Sequence, residues 1–140
     1  MISFLFFRQQ VETELKSCPF VDNICIYGDS RQTYVIALVT PNPKTLDTLA
    51  KTQNKTHMSR EQLCRDKQIV ATIKKGLDDH ARKAKLHKTE TPTKIYVCSE
   101  EWTPDSGLVT AAMKIRRRQI QDKYMAEINR MYSHSNGSGI

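Results

Sequence analysis

Trp102-Thr103-Pro104-Asp105-Ser106-Gly107-Leu108-Val109-Thr110-Ala111-Ala112-Met113-Lys114-Ile115-Arg116-Arg117-Arg118 is the stretch from which the rest of this chain can be read. Pro104, Asp105 and Gly107 favour a turn, each through a different backbone preference. The turn passes into a short apolar run and then into a basic segment. Beyond it Ile120, Tyr124, Ile128 and Met131 recur at helical spacing, which predicts a helix from Ala111 to Tyr132. A helix N-terminus carries unpaired amides and a partial positive charge. A helix starting near Thr110 would therefore place Lys114, Arg116, Arg117 and Arg118 at its unfavourable end. Acidic residues would serve stability better there. The layout points instead to an anion site, with loop, helix N-terminus and lysine aimed together.

Working outward, Lys94-Ile95-Tyr96-Val97-Cys98 reads as a strand after Pro92. Before it a long helix is expected from Arg60 to Lys85, with a stripe of Ile69, Val70, Ile73, Leu77, Ala81 and Ala84. Gly76 within that stripe costs about 1 kcal/mol against alanine and marks either close packing or a soft spot. Thr52 to Ser59 is polar and reads as a mobile loop, preceded by a short helix from Pro43 to Lys51 with Leu46, Leu49 and Ala50 inward. The β-rich runs Asn23–Tyr27 and Thr33–Val39 flank a polar loop at Gly28–Gln32, hence a hairpin. The second run is apolar on both faces and should lie centrally, covered on each side. Phe7, Val11, Leu15 and Cys18 predict a first helix from Arg8 to Ser17, stopped by Pro19. Residues 134–140 are a Ser/Gly/Asn tail and read as disordered. The sum is an α+β domain with a small three-stranded sheet flanked by helices.

The 140 residues suffice for one domain with an adequate core. A net charge of +7, from 22 Lys+Arg against 15 Asp+Glu, would attract nucleic acid, anionic lipid or phosphorylated small molecules, or simply keep the surface soluble. Charge does not choose among these. Cys18, Cys25, Cys64 and Cys98 contain no C-x-x-C pair and share no ligand spacing with the four histidines, so no metal is expected. The thiols read as reduced core residues of a cytosol-facing protein. The apolar start Ile2–Phe7 is far short of the roughly 20 residues a membrane-spanning helix needs, and it lacks the basic start of a signal peptide. No targeting signal is recognised. RNA recognition would call for interleaved aromatics or a named motif. The aromatics here sit at core-like positions, and no nucleic-acid partner is expected.

The segment Trp102 to Arg118 resembles the C-terminal end of the eukaryotic long-chain fatty-acyl-CoA synthetases, in the adenylate-forming (AMP-binding) superfamily. These enzymes end in a W-T-P-[DE]-[ST]-G-L-V-T-x-A-x-K-x-[KR]-R-[KR] run and a helix closing in I-x-R-M-Y, here Ile128-Asn129-Arg130-Met131-Tyr132. Val11-Glu12, Leu15, Cys18-Pro19, Asp22-Asn23-Ile24-Cys25, Tyr34-Val35-Ile36 and Val39-Thr40-Pro41-Asn42 match the same family in order. The resemblance spans residues 11–133 and leaves residues 1–10 as an atypical N-terminal segment. It implies the family's C-terminal lid: a small sheet with flanking helices, serving a long-chain fatty-acid–CoA ligase.

In that family a fatty-acid carboxylate attacks the α-phosphate of Mg2+-bound ATP, giving acyl-adenylate and pyrophosphate; coenzyme A then displaces AMP. The resemblance implies that the lid supplies one lysine for the first step, by position Lys114. Two anions must meet there, and a fixed ammonium stabilises the charge gathering on phosphate oxygens. A unit charge pair at ~4 Å is worth about 4 kcal/mol at an effective dielectric of ~20. Arg116, Arg117 and Arg118 either steer the phosphates of ATP or coenzyme A or solvate the helix. Gly107 either permits a positive φ in the active-site loop or is a plain turn glycine. Trp102 reads as a core or domain-packing anchor.

On the resemblance, the phosphate-binding loop, the ribose-binding acid and the hinge lie in segments that precede this region, and so do the acyl pocket and the membrane anchor. ATP and Mg2+ would be held mainly by that N-terminal adenylation domain. This chain alone is expected to be inactive, and membrane association is expected only through segments outside it. The family's usual settings are the endoplasmic reticulum and the mitochondrial outer or peroxisomal membranes. The competing reading is a non-catalytic fragment that binds a membrane surface or RNA, or docks on a full-length synthetase.

Overall fold

The computed structural model describes residues 4–29 and 31–138. Met1 to Ser3, at the start of the apolar segment, Ser30 of the hairpin loop, and Gly139 and Ile140 of the tail lie outside them. Helix α1 (Phe4–Lys16) leads into strand β1 (Val21–Tyr27), which pairs antiparallel with β2 (Ile36–Pro41). The chain then crosses through α2 (Pro43–Thr52), α3 (Arg60–Arg65) and α4 (Lys67–Lys83) to β3 (Lys94–Val97), which lies parallel to β2. A parallel return needs such a crossover. The sheet order is β1-β2-β3. Helices α5 (Arg117–Lys123) and α6 (Met125–Ser138) close the chain.

The continuous apolar character of the second run has the expected consequence: every residue of β2 is buried. Ala37 and Val39 face a core built with Val11, Leu15, Ile73 and Leu77 from α1 and α4. Ile36 and Leu38 face a second core with Trp102, Ile120, Tyr124 and Ile128. The sheet thus carries helices on both faces, the α+β arrangement expected. Trp102 is 2% exposed and belongs to the second core; its indole N–H donates to the Tyr124 hydroxyl at 3.3 Å.

Helix α1 begins at Phe4, four residues before the expected Arg8, and two further helices differ more. The helix read from Arg60 to Lys85 is two helices that meet at Asp66. Ser59 and Gln62 form a capping box for α3, and the Asp66 carboxylate accepts from the Ile69 N–H at 3.0 Å to cap α4. The Lys55 ammonium holds the same carboxylate at 2.6 Å. These polar side chains satisfy the backbone groups a continuous helix would have paired internally. Gly76, inside α4, marks close packing: a Cβ there would overlap the Phe20 ring.

The second difference bears on function. The last helical segment begins at Arg117, six residues after the expected start at Ala111, and it is interrupted at Tyr124. At the other end α6 continues to Ser138, through most of the tail that composition marks as disordered.

Candidate functional site

The loop carrying the candidate residues is built from short-range hydrogen bonds. Thr103 and Ser106 bond each other reciprocally, the Ser106 hydroxyl donating to the Thr103 carbonyl at 2.7 Å and accepting from the Thr103 N–H at 3.1 Å. Gly107 sits at φ +79°, where a side chain is strained. Leu108 and Val109 then plunge into the second core at 4% and 2% exposure.

From this anchor the chain turns back on itself. Val109 bridges Ile115 in antiparallel fashion. The Thr110 N–H donates to the Lys114 carbonyl at 2.8 Å, and the Lys114 N–H to the Thr110 hydroxyl at 3.2 Å. Met113 takes the left-handed conformation at φ 66°, which reverses the chain. Residues 110–114 are therefore a pinned hairpin turn. The left-handed Met113 and the antiparallel Val109–Ile115 bridge are incompatible with helix, which is why the helix does not start near Thr110. Lys114 is exposed on this turn, ahead of the helix, so the argument from a helix N-terminus does not apply to it.

The three arginines part company. Arg117 is drawn inward, where its guanidinium meets the Glu12 carboxylate in a bidentate pair at 2.8 and 2.7 Å. It also donates to the Ile26 carbonyl at 3.0 Å, while Glu12 accepts from the Ile26 N–H at 2.6 Å. Burial pulls the Arg117 pKa down, but the hydrogen bonds and charge of Glu12 outweigh it and hold the group above its ordinary value. One ion pair thereby joins α1, β1 and the start of α5, three residues beyond Lys114. Arg116 donates to the Gly107 carbonyl at 3.2 Å, clasping the two ends of the loop. Arg118 is exposed.

Lys114 lines an open groove of about 740 Å³ between this turn and α1, with Gln9, Thr13, Lys16, Asn23 and Met113 on its walls. The groove's charged lining is Lys16, Lys114 and the mutually paired Glu12 and Arg117, a net positive set suited to an anion. Among the described residues no cluster of three His, Cys, Asp or Glu is placed to hold a metal ion. Sequence reasoning missed Glu12 as a supporting residue. Its partner lies 105 positions away, and the local signal was only an acid next to the inward-facing Val11.

The sequence model of the AMP-binding enzyme C-terminal domain matches residues 8–136. Long chain acyl-CoA synthetase 8 of Arabidopsis thaliana is 40% identical over 124 residues, which are 89% of this chain and 17% of that protein. Long-chain-fatty-acid–CoA ligase 3 of Saccharomyces cerevisiae is 30% identical over 129 residues, 91% of this chain and 19% of the yeast enzyme. The chain thus spans less than a fifth of the relatives it matches. Among solved structures, the adenylation domain of a carboxylate reductase from Mycobacterium chelonae superposes with a TM-score of 0.73 at 25% identity, covering 89% of this chain and 17% of that one. A didomain of the carboxylic acid reductase from Segniliparus rugosus, in complex with AMP, gives 0.75 at 20% identity over 94% of this chain and 16% of its own. With the sequence model matched from α1 into α6 and the fold shared with adenylation domains, this chain belongs to the family of AMP-binding enzyme C-terminal domains.

Proposed function

We propose that the chain is the lid of a long-chain fatty-acid–CoA ligase and that Lys114 is its adenylation lysine. One observation carries this reading: Lys114 alone of the basic cluster stands exposed on a turn pinned at both ends, over a groove with no acid free to neutralise it, since Glu12 is held by Arg117. The turn fixes the Lys114 backbone, so only the side chain has to order when its ammonium meets an anion and stabilises the charge there. In the proposed reaction the fatty-acid carboxylate attacks the ATP α-phosphate, and Lys114 offsets the negative charge gathering between them. Gly107 and Arg116 keep the loop in register. Arg118 is the arginine best placed to steer nucleotide or coenzyme A phosphates. Mg2+ would travel with ATP, held by the adenylation domain rather than by this chain.

The relatives' names support a long-chain acyl substrate, since they are described as long-chain acyl-CoA synthetases and ligases. A cytosol-facing setting fits four cysteines that are all buried free thiols. No helix among the described residues is long and apolar enough to cross a membrane. The test is a chimera in which this chain replaces the corresponding domain of the Arabidopsis synthetase. Formation of long-chain acyl-CoA from fatty acid, ATP and coenzyme A is the expected result. A folded chimera that hydrolyses no ATP in the presence of fatty acid would overturn the proposal.

A further inference from the structure

On the opposite side of the sheet from β1, a second groove of about 530 Å³ runs along β3 between α4 and α6. β3 has β2 on one side and, among the described residues, no strand on the other. A strand with one neighbour leaves a row of backbone donors and acceptors outside the ladder. Arg65 covers one end of this row, donating to the Val97 carbonyl at 2.9 Å with its guanidinium 4.3 Å over the Tyr96 ring. The floor is apolar, made by the half-buried Val70, Ile95 and Met131.

The walls carry charge of one sign. Arg65, Lys67, Lys74, Lys94 and Arg130 line the groove against a single acid, Glu127. Lys74 is paired with Asp78 at 2.7 Å, and the Lys94 ammonium donates to the Met131 carbonyl at 2.8 Å. The cations stand on both walls. From Lys67 to Lys74 is two turns of helix, about 10 Å. The four residues of β3 span about 13 Å.

We propose that this groove docks an extended acidic peptide segment of a partner protein, added as a fourth strand beside β3. An apolar floor with an open strand edge recognises alternate side chains and main chain together, as strand addition does. Basic side chains on both walls complement acidic side chains of such a strand on either of its faces. A lone anionic head on a hydrocarbon chain would meet one of these charges and leave the backbone row unpaired. The site is on the far side of the sheet from the Lys114 groove and does not depend on the ligase reading.

The experiment uses the 140-residue chain and a fluorescein-labelled decapeptide alternating valine and glutamate, with anisotropy as readout. Saturable binding that weakens with salt is expected, together with about a tenfold loss in the Lys67→Glu/Arg130→Glu variant. Both positions are exposed, and circular dichroism checks the fold. The wild-type chain should also reject a peptide N-methylated at alternate amides, a comparison that needs no variant. Equal binding of the methylated peptide, or an equal loss in a Lys83→Glu/Lys88→Glu control, would reduce the effect to general charge attraction and overturn the proposal. So would no saturable binding at millimolar peptide, or occupation of the groove by oleate but not by peptide.

Discussion

At the residue scale the deciding pair is Glu12 and Arg117. Their side chains are 9% and 16% exposed, so removing either leaves a charge buried without its partner. Arg117→Met should therefore lower unfolding stability by about 3 kcal/mol, read from urea denaturation. Replacing both by apolar residues of similar volume should recover most of that loss. If Arg117 were only a solvated or phosphate-steering cation, the single variant would unfold like the wild type. The residue chemistry of the Lys114 turn was partly legible beforehand. Gly107 announced a turn, which its positive φ confirms. The split among Arg116, Arg117 and Arg118 was not legible, because it depends on which side of α5 faces β1. That orientation follows from Thr110 and Met113 closing a hairpin, and neither residue type is a strong local signal for one.

At the element scale the instructive case is the break at Asp66. The apolar stripe of α4 was legible and so was its inward face; Ile69, Ile73, Leu77 and Ala81 are all buried. The break was missed because periodicity runs through it, although Ser59, Gln62 and Asp66 occupy capping positions. Hydrogen bonding to Lys55 is the first cause that holds the Asp66 carboxyl below its ordinary value, followed by the Ile69 N–H. A depressed native pKa gives stability that is fully present above the ordinary aspartate value of about 3.9 and lost as pH falls through the native one. Asp66→Asn should thus melt below the wild type at neutral pH, and the gap should close as pH drops through the acid range. A gap independent of pH would show that the charge is irrelevant. Gly76 offers a second element-scale test. Helix propensity alone favours Gly76→Ala by about 1 kcal/mol, whereas overlap with Phe20 should cost about 1–3 kcal/mol. Net destabilisation in chemical denaturation is expected.

At the scale of the whole molecule, the buried β2 and its two cores explain why the α+β fold was readable: a strand apolar on both faces demands cover on both. The same enclosure makes the thiols inert. Burial first, and for Cys25 also the charge of Glu12, pushes Cys25 and Cys98 up to about 12. Iodoacetamide at pH 8 should leave both unlabelled in the native chain and modify them once urea unfolds it; rapid native labelling would contradict the two-core packing. What no local pattern could supply is the arrangement by which α1, β1 and α5 lock a turn and leave one lysine outward. The most direct measurement of that arrangement's purpose is a comparison of the two half-reactions in the chimeric ligase carrying Lys114→Ala. Adenylate formation, followed as fatty-acid-dependent pyrophosphate release, should fall by about 10²–10³, while thioester formation from preformed acyl-adenylate stays near the parent rate. Equal losses in the two half-reactions, or none in the first, would contradict the assignment of Lys114.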